Sequence, residues 1–311
     1  MSRTLPVTAP AARAPARRVS RRWGTYVYCF LVLLPVLALF AYIRLFPIAR
    51  SVVLSLYNWN LASSHRPFVG LANYARLSSD ENFLLALKNT TLYSISTVLC
   101  STVLALPLAL ALTRTTWSST LYQALYFLPV ITPMVPMAIA WKWIYDYNYG
   151  IFNYLLSLAH LPAVGWLVSA GVALWALVIM GVWKILGYNL ILFLVGIRNI
   201  PAVYFEASSI DGAAGWARFR FITLPLLKPI LLYVLVTATI QAYNVFTQVY
   251  VMTLGSQSAP GQAVRVLVYD IYENGFHFFR MGYASAEAVV LTLIVLGLTV
   301  IQFGAVRGEE A

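Results

Sequence analysis

The stretch Ile200-Pro-Ala-Val-Tyr-Phe-Glu206-Ala-Ser-Ser-Ile-Asp211-Gly212-Ala-Ala-Gly-Trp216-Ala-Arg-Phe219-Arg-Phe-Ile222-Thr-Leu224-Pro225-Leu-Leu-Lys228-Pro229 lies between two long apolar runs. Pro201 suits the first turn of a helix, because its missing N–H would be unpaired there in any case. Asp211-Gly212 then marks a turn. Ala213–Ile222 reads as a second short amphipathic helix, with Pro225 and Pro229 ending it and leading into the next apolar run. The small residues Ala207, Ser208 and Gly212 allow another surface to approach closely. A polar helix-turn-helix held between two apolar segments is the mark of a membrane protein with a structured surface loop.

The rest of the chain agrees. Of 311 residues, 61% are hydrophobic and 10% charged, and the mean hydropathy is +0.77. Soluble domains are about 45–50% apolar and about 25% charged, so a water-soluble enzyme is excluded. Six segments approach the ~20 apolar residues that a spanning helix needs. They are Tyr26–Ile43, Leu92–Thr113, Leu121–Trp141, Val168–Ile197, Ile230–Met252 and Ala284–Phe303. The first is retained rather than cleaved, since it outruns a signal-peptide core and ends without a small-residue cleavage site. Residues 1–25 form a basic, disordered tail, and 306–311 a short second tail. The fourth segment is read as one overhanging helix, although Gly187-Tyr188-Asn189 could turn. Pro129, Pro133 and Pro136 kink the third segment, which suits a face turned toward the bundle interior.

The formal charge is +11. With one pass for the fourth segment, twelve basic residues fall on the side that holds both termini and eight on the other. This places the termini and the 200–228 loop in the cytoplasm. The same geometry explains the basic excess without nucleic acid. Cys29 and Cys100 lie in apolar runs and read as small hydrophobes. His65, His160 and His277 are scattered over outer loops, so no metal site is expected. Ser51–Trp59 is either an amphipathic piece on the outer face or a loop packed on the bundle. Glu287 is the only acid within or beside a segment. An ion-coupled secondary transporter, the alternative class, would want a longer ionisable relay. A membrane enzyme would want clustered His and carboxylates.

The 200–228 loop resembles the EAA loop of bacterial ABC importer permeases. There Glu-Ala-Ala is followed by three residues, Gly, nine residues, Ile, one residue and Leu-Pro. Glu206, Ala207, Gly212, Ile222, Leu224 and Pro225 fall at those spacings, with Ser208 in place of the third residue. Phe68-Val-Gly-Leu-Ala-Asn-Tyr74, Trp183-Lys184 with Gly187-Tyr188-Asn189, and Gly282-Tyr-Ala-Ser-Ala286 are similar to the carbohydrate-uptake branch. Within it the chain looks like the first permease of maltose, other sugar and glycerol-phosphate importers, without the large outer insertion of the maltose type.

The resemblance implies an all-α, type I ABC importer permease fold of six transmembrane helices. A cytoplasmic coupling helix would lie between the fourth and fifth. The chain itself would bind no cofactor, and ATP-Mg would sit on partner ATPase subunits; there is no Gly-x-x-x-x-Gly-Lys-Ser/Thr loop. The implied partners are a second homologous permease, two ATPase subunits, an extracytoplasmic solute-binding protein and the bilayer of the bacterial inner membrane. The implied coupling residues are Glu206, Ala207, Ser208, Asp211, Gly212, Trp216, Phe219, Ile222, Leu224 and Pro225. Trp216 would otherwise expose a large aromatic ring to the cytosol.

Sugar sites combine aromatic faces with hydrogen-bonding groups. Such groups occur at mid-depth in three segments: Met134 with Thr132; Trp183, Lys184, Tyr188 and Asn189; and Gln241, Tyr243 and Asn244 with Thr239 and Gln248. Aligned by the flanking motifs, the maltose-type pocket falls at Val130, Met134, Gly181, Trp183, Lys184, Ile185, Tyr188, Ala238 and Ala242. Only Trp183 and Tyr188 keep its aromatic character. Lys184 either meets solute, snorkels or pairs with a carboxylate of the partner permease. Gln241 and Asn244 either line the path or hydrogen-bond helices together. The solute implied is a mono- or oligosaccharide, with glycerol-3-phosphate or a related phosphodiester as the alternative.

Overall fold

The computed structural model describes residues 19–63, 65–113, 116–254 and 261–307. The first eighteen residues of the basic tail, Arg114 and the last four residues lie outside the described residues. The chain divides into two compact units, residues 1–50 and 51–311.

In the first unit α1 spans Val19–Phe40, a π-turn follows over Ala41–Leu45, and α2 opens at Phe46 and runs to Leu54. The helix begins seven residues before the apolar run, because main-chain hydrogen bonding does not require apolar side chains and a helix can overhang into water. The π-turn sits just before Pro47. A proline ring clashes with the carbonyl four residues back, here that of Ile43. The wider turn moves that carbonyl aside, and Phe46 N–H bonds instead to Ala41 O.

In the second unit the chain leaves α2 through a turn, and Tyr57 forms an isolated antiparallel bridge with Phe68. Only the first part of Ser51–Trp59 is therefore helical. The short α3 (Ala72–Leu77) leads to α4, Glu81–Ala111. α4 begins eleven residues before Leu92, because Asp80 caps it: its carboxylate accepts from the N–H groups of Asn82 and Phe83 at 2.9 and 3.4 Å. Its buried polar residues Thr90, Ser94, Thr97 and Ser101 recur every three or four positions and share one face.

The third apolar segment is not one kinked helix. It is α5 (Trp117–Ile131) and α6 (Met134–Ile144), bent by 103°. Thr132 is extended at the break, and Pro133 begins the second arm. After α7 (Ile151–Leu158), α8 runs unbroken from Ala170 to Arg198 through Gly187-Tyr188-Asn189. It packs along α4 and α5.

The loop that follows holds α9 (Ala202–Ile210), α10 (Gly215–Arg218), a π-turn over Phe219–Thr223 and α11 (Leu224–Leu226). Pro225 does not end the helix as its sequence position suggests. The π-turn again clears the carbonyl four residues back, and Leu224 N–H bonds to Phe219 O. The break falls at Leu227, and α12 (Lys228–Tyr243) leaves at 68° with Pro229 in its first turn.

α12 also ends nine residues short of the expected Met252. The Asn244 side chain donates to Ile240 O at 2.7 Å, and this local bond competes with the next helical turn. The short α13 (Thr247–Val249) and a π-turn follow, then α14 (Leu267–Tyr272) and α15 (Met281–Arg307). α12 packs on α4 and α15. Among the described residues, four helices are long and apolar enough to cross a membrane, or up to six if each bent pair is one span.

Candidate functional site

The loop after α8 is a stiff elbow, and its stiffness is local chemistry. α9 ends in a Schellman cap. Gly212 takes the left-handed conformation at φ +72°, Ala213 N–H donates to Ser208 O at 2.8 Å, and Gly212 N–H to Ser209 O at 3.4 Å. Gly215 repeats the left-handed turn at φ +54° and starts α10. Arg218 ties α10 back to α9, donating to Ser209 Oγ at 2.9 Å and Ala213 O at 3.3 Å.

The elbow turns unsatisfied apolar surface outward. Trp216 is 74% exposed and stacks, tilted, on the half-buried Phe219 at 5.1 Å. Ile210 and Phe221 are 87% and 74% exposed. Glu206, Ala207, Asp211, Gly212 and Pro225 are exposed too, Ile222 and Leu224 half-buried. Ser208 is buried, with its hydroxyl donating to Phe205 O at 2.7 Å. Sequence reading missed Ile210, Phe221 and Arg218. The first two look like anchors toward the bundle until the helix register is known. Arg218 looks like one of several loop cations.

Behind the elbow is a cavity of about 520 Å³, lined among others by Ile197, Arg198, Phe205, Arg218 and Phe219.

The groups expected along a solute path separate into sets. Lys184 on α8 donates to Thr132 O at 2.6 Å, to Pro129 O, and toward Val130 O at 3.4 Å. Its ammonium thus sits at the α5–α6 break, a role outside the three that sequence reading offered. Trp183 meets Trp141 of α6 edge-on at 5.3 Å, and Met134 packs in the same apolar cluster. Tyr188 is paired through its hydroxyl with Tyr233 of α12.

Other members face α4. Asn189 is fully buried and donates to Ser101 Oγ at 3.1 Å. Tyr243 donates to Thr91 Oγ1 at 3.3 Å. Gly181 lies against Tyr93, whose hydroxyl also accepts from Gln248. Gln241 and Asn244 are exposed. A cavity of about 310 Å³ between α4, α12 and α15 takes in Thr91, Ser94, Thr239, Tyr243 and Gln302. Ser94 Oγ and Gln302 Oε1 are buried without a hydrogen-bond partner. Sequence reading missed both, although the polar face of α4 was legible in its spacing. Among the described residues no three His, Cys, Asp or Glu side chains are placed to hold a metal.

Residues 83–306 match the family model described as binding-protein-dependent transport system inner membrane component. The chain belongs to that family. It is the permease component of an ABC importer, which is not an enzyme; ATP hydrolysis belongs to a separate subunit. The permease is 33% identical over 272 residues to the trehalose/maltose transport system permease protein of Thermococcus litoralis, covering 88% of this chain and 91% of the relative. It is 34% identical over 284 residues to the lactose transport system permease protein of Rhizobium radiobacter, covering 90% and 94%. It is 34% identical over 239 residues to an sn-glycerol-3-phosphate transport system permease protein of Agrobacterium fabrum, covering 76% and 80%. In fold, the permease matches a chain of a bacterial alginate ABC transporter crystallised with an alginate pentasaccharide-bound periplasmic protein. The TM-score is 0.79 at 21% identity, over 92% of this chain and 96% of that one.

Proposed function

We propose that this permease imports a neutral mono- or oligosaccharide handed to it by an extracytoplasmic binding protein. It would do so beside a second homologous permease and above two ATPase subunits carrying ATP-Mg, in a bacterial inner membrane with both termini cytoplasmic. The span order would be the six segments above, with residues 200–228 as the coupling loop.

The observation that carries the coupling assignment is the capped elbow. Ile210, Trp216 and Phe221 are apolar side chains held outward on a turn that Gly212 and Arg218 make rigid. A flexible loop would collapse over such groups, whereas a rigid one presents them to a partner. Glu206, Asp211 and the small Ala207 beside them add polar contacts and room for close approach. Ser208, Phe219, Ile222, Leu224 and Pro225 support the elbow from behind and at its exit.

Transport of trehalose, maltose and lactose by relatives supports a sugar. A neutral one is favoured because Lys184, the cation at mid-span in this chain, spends its donors on carbonyl oxygens. Trp183, Tyr188, Met134 and the exposed Gln241 and Asn244 remain as the groups this chain would offer to solute. Asn189 and Tyr243 would support them from the α4 side.

The test is to purify the chain with its co-expressed subunits and measure which solutes stimulate ATP hydrolysis. Neutral sugars should stimulate; stimulation by sn-glycerol-3-phosphate alone would replace the sugar reading. Gly212→Asp should leave membrane insertion intact and uncouple hydrolysis from uptake. Normal solute-stimulated transport by that variant would remove the coupling assignment.

A further inference from the structure

In an α-helix the carbonyl of residue i accepts from the N–H of residue i+4. At the α5–α6 break two carbonyls lose such a partner. The carbonyl of Pro129, in the last turn of α5, looks to position 133, a proline with no N–H to give. Thr132 is extended at the break, so its carbonyl belongs to neither helix and has no helical donor. Within a hydrocarbon layer each unpaired carbonyl costs several kcal/mol, and no water is at hand to take the place of the donor.

Lys184 reaches from the neighbouring helix to these same two oxygens, Pro129 O and Thr132 O, with its third donor directed at Val130 O. An ammonium has three donors and no acceptor, so the match in number is complete. A positive charge at the carbonyl end of a helix is also favoured by the peptide dipoles. Among the described residues no carboxylate pairs with Lys184. The residue before it holds the other arm: Trp183 meets Trp141 of α6 at 5.3 Å. Two consecutive residues of α8 thus grip both sides of the 103° bend.

We propose that Lys184 is a positioning residue of translocation, supplying donors to the carbonyls left unpaired at the α5–α6 break and so fixing the elbow without contacting solute. The helix break would then be a built joint, and Lys184 its pin. The proposal rests on family membership and on the Lys184 contacts; its failure would remove the argument for a neutral solute but leave the sugar class, which rests on the relatives, in place.

The test uses the importer assembled with its co-expressed subunits in lipid nanodiscs. Cys29 and Cys100 are replaced by serine, and spin labels are placed at Leu125→Cys on α5 and Ile139→Cys on α6, both exposed positions. Lys184→Met should broaden the label-to-label distances and shift them toward the ~21 Å that fourteen residues of straight helix would span. Lys184→Gln, which keeps donors without charge, and Lys184→Arg should hold the narrow parental distribution. In the same assemblies kcat for Mg-ATP hydrolysis should change about tenfold in Lys184→Met, with KM for ATP unchanged and with recovery in Lys184→Gln. A narrow parental distribution in Lys184→Met would overturn the proposal. So would a Lys184→Gln variant as broad and as altered in kcat as Lys184→Met, since charge would then be what matters.

Discussion

Gly187 of α8 lies so close to the backbone of Tyr126 in α5 that a Cβ built on it would fall 1.9 Å from the Tyr126 carbonyl oxygen. The obstacle is main chain, which no rotamer change can clear. This contact brings α5 near enough to α8 for Lys184, three residues earlier on the same helix, to reach the end of α5. Gly187→Ala should therefore prise the two helices apart. Overpacking of this kind costs about 1–3 kcal/mol or more, and the melting temperature of the purified permease should fall. Gly171→Ala on the same helix is the control. Nothing lies within 4 Å of its Cβ position, so alanine there should be neutral or slightly stabilising.

Gly212 makes a different demand. It has open space around it but sits at φ +72°. An L side chain in that conformation costs about 1–2 kcal/mol, and asparagine tolerates it better than alanine. Gly212→Ala should loosen the cap, and Gly212→Asn should largely keep it. Hydrogen exchange across residues 205–214 reads this directly, because the Ala213 amide is protected only by its bond to Ser208 O. Equal exchange in the two variants would mean that the turn is not held by its glycine.

These two glycines also show how far the sequence could be read. Gly212 was legible, since Asp-Gly after an apolar-periodic run announces a helix end. Gly187 was not: within Gly-Tyr-Asn it looks like a turn, and only the approach of α5 reveals that it serves packing. The third segment is instructive in the same way. Three prolines at 129, 133 and 136 signal a defect, but local rules cannot choose between a mild kink and a 103° break. The choice depends on whether a donor elsewhere satisfies the freed carbonyls, and Lys184 lies 55 positions from Pro129. Read as a lone cation in an apolar run, it leaves solute, snorkelling and a partner carboxylate all open; seen in place, it points to backbone. The elbow at 200–228 was the most legible part because its turn, spacing and breakers are all local. Of its exposed face Trp216 was legible; Phe221 was not, since it lies in the π-turn at Phe219–Thr223, which shifts the register by one residue.

At the far end of the bundle Arg265 joins Asp270 and Glu273 in one ion cluster. Asp270 is 1% exposed, so Arg265 stabilises a carboxylate that water cannot reach. Desolvation works against the guanidinium charge, but the adjoining Asp270 and Glu273 outweigh it and hold its pKa above the ordinary value. Arg265→Met would leave a buried carboxylate unpaired, at a cost of about 3–5 kcal/mol. Adding Asp270→Asn should recover much of the loss, because an amide carries no charge to strand. If the double variant melts no higher than the single one, the pair is not what stabilises this corner.

Asp80 gives the pH dependence of the same region. Burial pushes its pKa up, but it accepts from Tyr283 Oη at 2.6 Å and from the N–H groups of Asn82 and Phe83, and Arg265 lies nearby. These interactions prevail, and the folded carboxyl titrates below its ordinary range. A carboxyl depressed by folding adds stability wherever it is ionised in both states, above the unfolded value of about 3.9. That contribution drains away as the pH drops below 3.9 and is gone beneath the folded pKa. Asparagine caps a helix as well as aspartate does, so comparison with Asp80→Asn isolates the charge. The parent should melt above Asp80→Asn by a constant margin from pH 7 to about pH 5, and the margin should close only below about pH 4. A margin already shrinking between pH 7 and pH 5 would mean that burial, not the Tyr283 bond and the helix start, governs this carboxyl.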